Sequence, residues 1–194
     1  PADVAKSLTV ASEQGPVLCV GYPSLMVAAM ETLKASGISS LPLPQGSLVL
    51  TGGGWKSFLP GVQIDQTEFR ERASQFFALP DSAIRDMYGM AECPAVMVQC
   101  HAGGYHVPTL TFAQAIDPET GEDVPEGETG LLQLTTPLTT CYPLLKLLTT
   151  DKVQIQRACP CGLPAPTIVP QGRAVAARYE TCAMKIGTAL SPAS

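Results

Sequence analysis

The stretch Pro16–Gly37, PVLCVGYPSLMVAAMETLKASG, changes character halfway along, and that change restricts the fold more than any other feature of the chain. Pro16 to Val20 is a short apolar run and reads as a buried strand. Tyr22-Pro23-Ser24 then turns the chain, Ser24 offers a hydroxyl as N-cap, and a helical pattern runs on to Gly37. A second strand, Ser47 to Leu50, leads into three glycines, and DQTEFRERASQFFAL follows as a helix. In that helix Phe69, Ala73, Phe76 and Phe77 share one face, and Pro80 ends it. AIRDMYGMAEC then reads as a short strand entering a turn. Strand–helix–strand–helix order predicts parallel pairing in an α/β layer.

After about residue 105 the pattern changes again. TFAQAIDPETGEDVPEGETGLLQLTTP alternates strand-like stretches with turn clusters at Asp117–Gly121 and Pro125–Gly127. DKVQIQ, APTIVP and GRAVAARYE continue as short strands, so this half is predicted to be antiparallel β. The expected organisation is an α/β portion over residues 1–105, a β-rich portion over 106–172 with a candidate zinc site, and a hinge and short tail over 173–194.

Charge and hydropathy narrow the partners. Twelve Lys and Arg stand against 17 Asp and Glu, for a net charge of −5. No basic patch is available for a nucleic acid, which needs its phosphates neutralised. The longest apolar segment, LLQLTTPLTTCYPLLKLL, is interrupted by Thr, Pro and Lys and does not suit a membrane span. The chain shows no secretory signal, so its seven cysteines are expected as cytoplasmic thiols: metal ligands, core residues or a reactive group.

Chemistry-bearing residues concentrate in Arg85–Pro108, RDMYGMAECPAVMVQCHAGGYHVP. Cys100 and His106 flank a glycine turn there, and Cys159-Pro160-Cys161-Gly162 is a C-x-C-G turn. Together they offer three sulfurs and one nitrogen, a set suited to tetrahedral Zn²⁺. His101 or Cys93 could replace one ligand, and buried cysteines are also common as small apolar core residues. Thr51–Lys56, TGGGWK, lets backbone approach a flat or anionic ligand. Tyr88 could stack on an aromatic base beside Gly89, and Glu92 could serve Mg²⁺ as a hard oxygen ligand. Asp151 could accept both hydroxyls of a ribose, and Arg173 could meet a phosphate or ribose. Cys182 is a thiol near the chain end. Val96, Val98, Leu132 and Leu134 would suit a fatty chain, although such positions are usually core.

In order, TGGGWK, MYGMAE, Cys100 with YHVP, DPETGE with EGETGLLQL, CYPLLKLLTTDKV, CPCG and QGR with TCA resemble the acyl-protein synthetase (LuxE-type) family. That family is an offshoot of the adenylate-forming, AMP-binding superfamily and is similar to the phenylacetate–CoA ligases. The resemblance runs from about residue 16 to 187. It implies part of an adenylate-forming enzyme fold: a parallel α/β layer followed by an antiparallel β region. The implied activity is ATP- and Mg²⁺-dependent activation of a fatty acid or other carboxylic acid as acyl-adenylate, then transfer to a thiol. An acyl-reductase or acyl-transferase protein is the implied partner.

On this resemblance Tyr88 and Gly89 correspond to the adenine-binding turn and Glu92 to the carboxylate on the Mg²⁺ and phosphate side. Asp151 corresponds to the ribose-binding aspartate and Arg173 to the arginine of the hinge motif. Gly53, Gly54 and Trp55 correspond to the wall between nucleotide and acyl pocket. Cys100, His106, Cys159 and Cys161 match the zinc positions of the related ligases, and Cys182 falls near the family's acyl-accepting cysteine. The Ser/Thr/Gly-rich phosphate loop is not found, and the chain is read as the C-terminal half of such an enzyme, with little activity alone. Lys152 replaces an expected apolar residue, the hinge after Arg173 reads Ala-Val-Ala-Ala, and Cys182 sits in Glu-Thr-Cys-Ala. A non-catalytic, zinc-stabilised nucleotide- or partner-binding module and an aryl-acid–CoA ligase are the alternatives. The ligase reading expects the carboxylates of Glu92 and Asp151 to meet at one cavity shaped for AMP.

Overall fold

A computed structural model describes residues 2–54, 63–139 and 142–174. The chain divides into two compact units, one holding the described residues through Asp86 and the other beginning at Met87.

In the first unit, α1 (Ala2–Ser12), β1 (Leu18–Gly21), α2 (Pro23–Ala35), β2 (Leu48–Gly52) and α3 (Gln66–Phe77) follow in order. β1 and β2 pair in parallel from Leu18 with Leu48 to Gly21 with Thr51, as the alternation of strands and helices predicts. Helix α2 starts differently from expectation. Tyr22 is the N-cap and Pro23 opens the first turn, where its missing N–H costs no hydrogen bond, while Ser24 lies buried inside the helix. Helix α3 is capped at both ends. The Asp65 side chain accepts from the Glu68 amide at 2.8 Å, and Ala78 closes the helix in the left-handed region at φ 52°. The predicted apolar face of α3 is buried: Phe69, Ala73, Phe76 and Phe77 join Met26, Met30, Leu33 and Val49 in one core.

Strand β3 (Ile84–Met90) crosses from the first unit into the second. Within the first unit, Thr51 on β2 donates its hydroxyl to the Asp86 carboxylate at 2.7 Å. Within the second, the end of β3 forms a hairpin with β4 (Cys93–Val98), pairing Met87 with Val98, Tyr88 with Met97, and Met90 with Cys93. Tyr88 and Gly89 therefore lie on a strand, and the turn is formed by Ala91 and Glu92. This corrects the expectation that Tyr88 and Gly89 belong to the turn. Met90 and Cys93 close the ladder, so pairing persists past the aromatic residue.

The rest of the second unit is an antiparallel sheet ordered β5 (Tyr105–His106), β9 (Thr167–Arg173), β8 (Leu144–Gln156), β7 (Thr129–Thr136) and β6 (Phe112–Ile116). The turn after β6 is of the predicted kind: Asp117 Oδ1 accepts from the Glu119 amide at 2.7 Å, and Gly121 sits at φ 73°. Alternation decides which side chains are core. Cys93, Ala95 and Met97 on β4 and Leu132 and Leu134 on β7 pack with Val153 and Ile168, whereas Val96 and Val98 face outward. The four aliphatic positions named for a fatty chain thus divide, with Leu132 and Leu134 structural.

Gly130 marks the tightest approach in this sheet. A Cβ there would lie 2.7 Å from the Ile116 nitrogen and 2.8 Å from the Ala115 carbonyl carbon, both backbone atoms. Backbone cannot rotate aside as a side chain can. Gly130→Ala is expected to lower unfolding free energy by about 2 kcal/mol in urea denaturation. An unchanged midpoint would show that β6 and β7 part without cost.

Candidate functional site

Two constellations stand out, both within the second unit. The first is built around Asp151, in the middle of β8. Its Oδ2 accepts the Tyr88 hydroxyl at 2.5 Å, and its Oδ1 accepts the Arg173 Nε at 2.9 Å. Its own amide donates to Thr149 Oγ1 at 3.1 Å. Strand register explains how Arg173 reaches it, since Asp151 and Arg173 are directly paired between β8 and β9. Tyr88 arrives from the β3–β4 hairpin, with its ring edge-on to Tyr105 at 6.3 Å between centroids. Burial first, and then the hydrogen bond and charge of Asp151, push the Tyr88 phenol well above its ordinary pKa. It therefore stays protonated and acts as the donor.

The second constellation joins two turns. One is the 100–104 turn, in which the Cys100 amide donates to Gly104 O at 2.9 Å and Gly103, at φ 89°, returns a bond to Cys100 O at 3.0 Å. The other is Cys159–Gly162, closed by the Gly162 amide on Cys159 O at 3.0 Å, with Gly162 at φ 86°. Both glycines occupy the left-handed region that lets so tight a reversal form. The pairing of β5 with β9 brings His106 opposite Thr167 and so beside the second turn.

The ligand atoms of Cys100, His106, Cys159 and Cys161 all lie within 4.8 Å of one another. Two of these separations are 3.1 Å for His106 Nε2 to Cys161 Sγ and 3.5 Å for Cys100 Sγ to Cys159 Sγ. Tetrahedral Zn–S bonds of 2.3 Å require sulfurs about 3.8 Å apart, so the set fits zinc with small adjustments. The supporting contacts fit too. His106 Nδ1 lies 3.0 Å from Ala165 O, which assigns the ring proton to Nδ1 and leaves the Nε2 lone pair facing the sulfurs. The Leu163 amide points at Cys161 Sγ from 3.5 Å.

Burial pushes the Cys100 thiol up, but hydrogen bonds from Cys159 and from the backbone of Ala102 and Gly104 outweigh it and bring the group to about 7. At Cys159 the Cys161 backbone pulls downward, yet burial and the neighbouring thiols hold it near 11. Two sulfurs this close share a proton, with Cys100 the more ready thiolate. A divalent cation would take the place of that proton.

The other nominated residues are distributed as follows. Glu92 is exposed at the tip of the β3–β4 hairpin. Among the described residues it shares no hydrogen bond with Tyr88, Asp151 or Arg173. It follows Tyr88 by four positions, a span of at most about 14 Å. Gly53 and Gly54 belong to the first unit, both exposed and left-handed at φ 70° and 67°. Trp55 and Cys182 lie outside the described residues. Cys93 is buried in the β4 core, and His101 is exposed outside the four-ligand group. What sequence reasoning missed is the direct bond between Tyr88 and Asp151. No spacing rule announces a contact across 63 residues.

Among the described residues no helix is long and apolar enough to cross a membrane. Among solved structures, a 2-hydroxyisobutyryl-CoA ligase in the postadenylation state with 2-HIB-AMP is similar to the chain. The TM-score is 0.68 at 19% identity, over 89% of this chain and 35% of that one. This likeness is one of fold, and it identifies the architecture as part of the adenylate-forming ligase fold. In sequence, the long-chain-fatty-acid–luciferin-component ligase of Aliivibrio fischeri is 32% identical over 75% of this chain. The chain spans 37% of that relative's length. The phenylacetate-coenzyme A ligase of Thermus thermophilus is 36% identical over 40% of this chain and 19% of its own. The sequence profile described as acyl-protein synthetase, LuxE, matches residues 3–191, which takes in both constellations. The chain belongs to the acyl-protein synthetase LuxE family.

Proposed function

We propose that this chain is the nucleotide-handling portion of an acid–thiol ligase, which activates a long-chain fatty acid as acyl-adenylate and passes the acyl group to a protein thiol. The observation that carries this reading is the gathering of Tyr88 and Arg173 on the two oxygens of Asp151. A carboxylate accepts about four hydrogen bonds. Two are taken here, one on each oxygen, and two acceptor positions remain for a vicinal diol such as that of ribose.

In the proposed reaction a carboxylate oxygen attacks the α-phosphorus of ATP and pyrophosphate leaves. A thiolate then attacks the acyl carbon and AMP leaves. Asp151 holds the ribose, while Tyr88 and Gly89 line the base. Arg173 neutralises Asp151 and is free to meet a phosphate or ribose once displaced. On the family resemblance, Gly53, Gly54 and Trp55 are proposed as the wall of the acyl pocket and Cys182 as the acceptor thiol. Glu92 would hold Mg²⁺, whose charge stabilises the phosphate oxygens in the transition state. Cys100, His106, Cys159 and Cys161 would hold structural Zn²⁺: four protein ligands leave no open position for catalysis. Cys19, Cys93, Cys100, Cys159 and Cys161 form no disulfide among the described residues, and a cytoplasmic setting is proposed as part of the same reading. An acyl-reductase or acyl-transferase protein would take the product onward.

The test is binding of a hydrolysis-resistant acyl-sulfamoyl adenosine to the intact chain, compared with AMP, by titration calorimetry. A series from C8 to C16 should bind progressively tighter than AMP, because each methylene removed from water adds about 0.8 kcal/mol. Affinity independent of chain length would refute the fatty-acid reading. Tightest binding by an aryl analogue would favour the aryl-acid ligase alternative. Pyrophosphate exchange by these 194 residues alone is expected to be weak, since the relatives catalyse with a longer chain.

A further inference from the structure

We infer that Tyr88 is a positioning residue: its hydroxyl, acting through Asp151, sets the angle at which that carboxylate receives a vicinal diol. The inference rests on the nucleotide reading of Asp151 and adds to it a role for the phenol that base stacking does not supply.

The argument starts from what holds each partner. Asp151 has two attachments, and they differ in firmness. Arg173 is about half exposed, at 51%, and is the paired residue on a neighbouring strand. An exposed guanidinium on a flexible stem exchanges readily with water, so its hold on the carboxylate plane is weak. Tyr88 is half-buried, its ring edge-packed on Tyr105 and its backbone paired with Met97 in the hairpin. A phenol has only two side-chain torsions, and both are restrained here. Its 2.5 Å bond to Oδ2 therefore fixes the carboxylate from a rigid base.

The Asp151 side chain is 19% exposed, so the acceptor positions left open face a restricted approach. A diol that bridges Oδ1 and Oδ2 needs those oxygens in one orientation. Without the phenol, the carboxylate can rotate about its terminal torsion, which is broad for aspartate. The donor that prevents this is 63 residues distant in sequence. The ligand class that benefits is one with a cis-diol; a deoxygenated sugar gains nothing from an oriented carboxylate.

The experiment measures AMP and 2′,3′-dideoxy-AMP binding to the intact chain and to its Tyr88→Phe variant by calorimetry. The wild type should prefer AMP. Tyr88→Phe keeps the ring that lines the base and should weaken AMP about tenfold, equivalent to about 1.4 kcal/mol, with a smaller loss on dideoxy-AMP, so that the preference for the diol shrinks. Equal loss on both nucleotides, or no loss on either, overturns the positioning role while leaving the nucleotide reading intact. A wild type that binds the two nucleotides equally, or neither, overturns the assignment of Asp151 and this inference with it. Should Tyr88→Phe fail to fold, Tyr105→Leu removes the ring packed edge-on against Tyr88 and loosens the base that holds the phenol. It should shrink the preference for AMP over dideoxy-AMP, and an unchanged ratio overturns the inference.

Discussion

Replacing Cys161 by serine is expected to reduce bound zinc from one equivalent per chain to almost none and to lower the melting temperature of the second unit by roughly 15 °C or more. The size follows from linkage. A metal held at a thousandfold over its dissociation constant stabilises the folded state by about 4 kcal/mol, and each kcal/mol moves the melting point of a unit this small by about 4 °C or more. The stitched elements explain why the loss should be felt beyond the site. Cys100 closes the turn between β4 and β5, and Cys159 and Cys161 close the one between β8 and β9. Without the cation, the facing sulfurs must regain protons in a space that brings two of them to 3.5 Å. Cys93→Ser is the control. That thiol is 2% exposed in the β4 core and outside the ligand group, so zinc should be retained while stability falls through lost packing. Elemental analysis and calorimetry, with and without dipicolinate, read both quantities. A protein purified without chelator that carries no metal, or one whose melting point dipicolinate leaves unmoved, would end the zinc reading.

What could be read from residues alone depended on how local the physics was. Helix α3 was legible because the apolar spacing of Phe69, Ala73, Phe76 and Phe77 matches the face it buries. The parallel pairing of β1 with β2 followed from the helix between them. Helix α1 gave little signal: it buries only Ala5 and Leu8, and it carries Ser7, Thr9 and Ser12, which bond backbone as readily in turns as in helices. At Tyr22-Pro23-Ser24 two cap chemistries competed, and proline at the first helical position prevailed over the serine hydroxyl. Strand parity carried information that composition lacked. It turned Cys93 inward on β4 and so separated a core thiol from the cysteine that faces the C-x-C turn. It likewise put Leu132 and Leu134 in the core while Val96 and Val98 face outward. The site around Asp151 depended on none of these local rules. Its members sit on β3, β8 and β9, and only the closure of the sheet and the hairpin in the same unit brings them together. Motif order could nominate them; it could not say that a phenol would meet a carboxylate.

Asp151→Asn should weaken AMP binding about a hundredfold while moving the melting temperature little. The two ribose hydroxyls would lose charged acceptors, each such bond contributing about 1.5 kcal/mol or more, which together amount to about 3 kcal/mol. The cost to folding is smaller for three reasons. The ion pair with Arg173 is half exposed on the arginine side and is worth at most about 1 kcal/mol. An asparagine carbonyl can still accept the Tyr88 hydroxyl, so the buried phenol is not left unpaired. The side chain keeps its volume, so no cavity opens beside β9. Binding and stability should therefore separate, and that separation distinguishes a ligand site from a structural polar cluster. A cluster that serves only to tie β8 to β3 would give the reverse: AMP affinity unaltered and a melting point lowered in step with the lost contacts. That reverse result would favour a non-catalytic module built on the same fold. The charge-reversing change Arg173→Glu sharpens the comparison, because it sets a second carboxylate beside Asp151. It should abolish AMP binding where the loss at Asp151→Asn is about a hundredfold, since like charges on paired strands both repel the phosphate and turn the Asp151 carboxylate away.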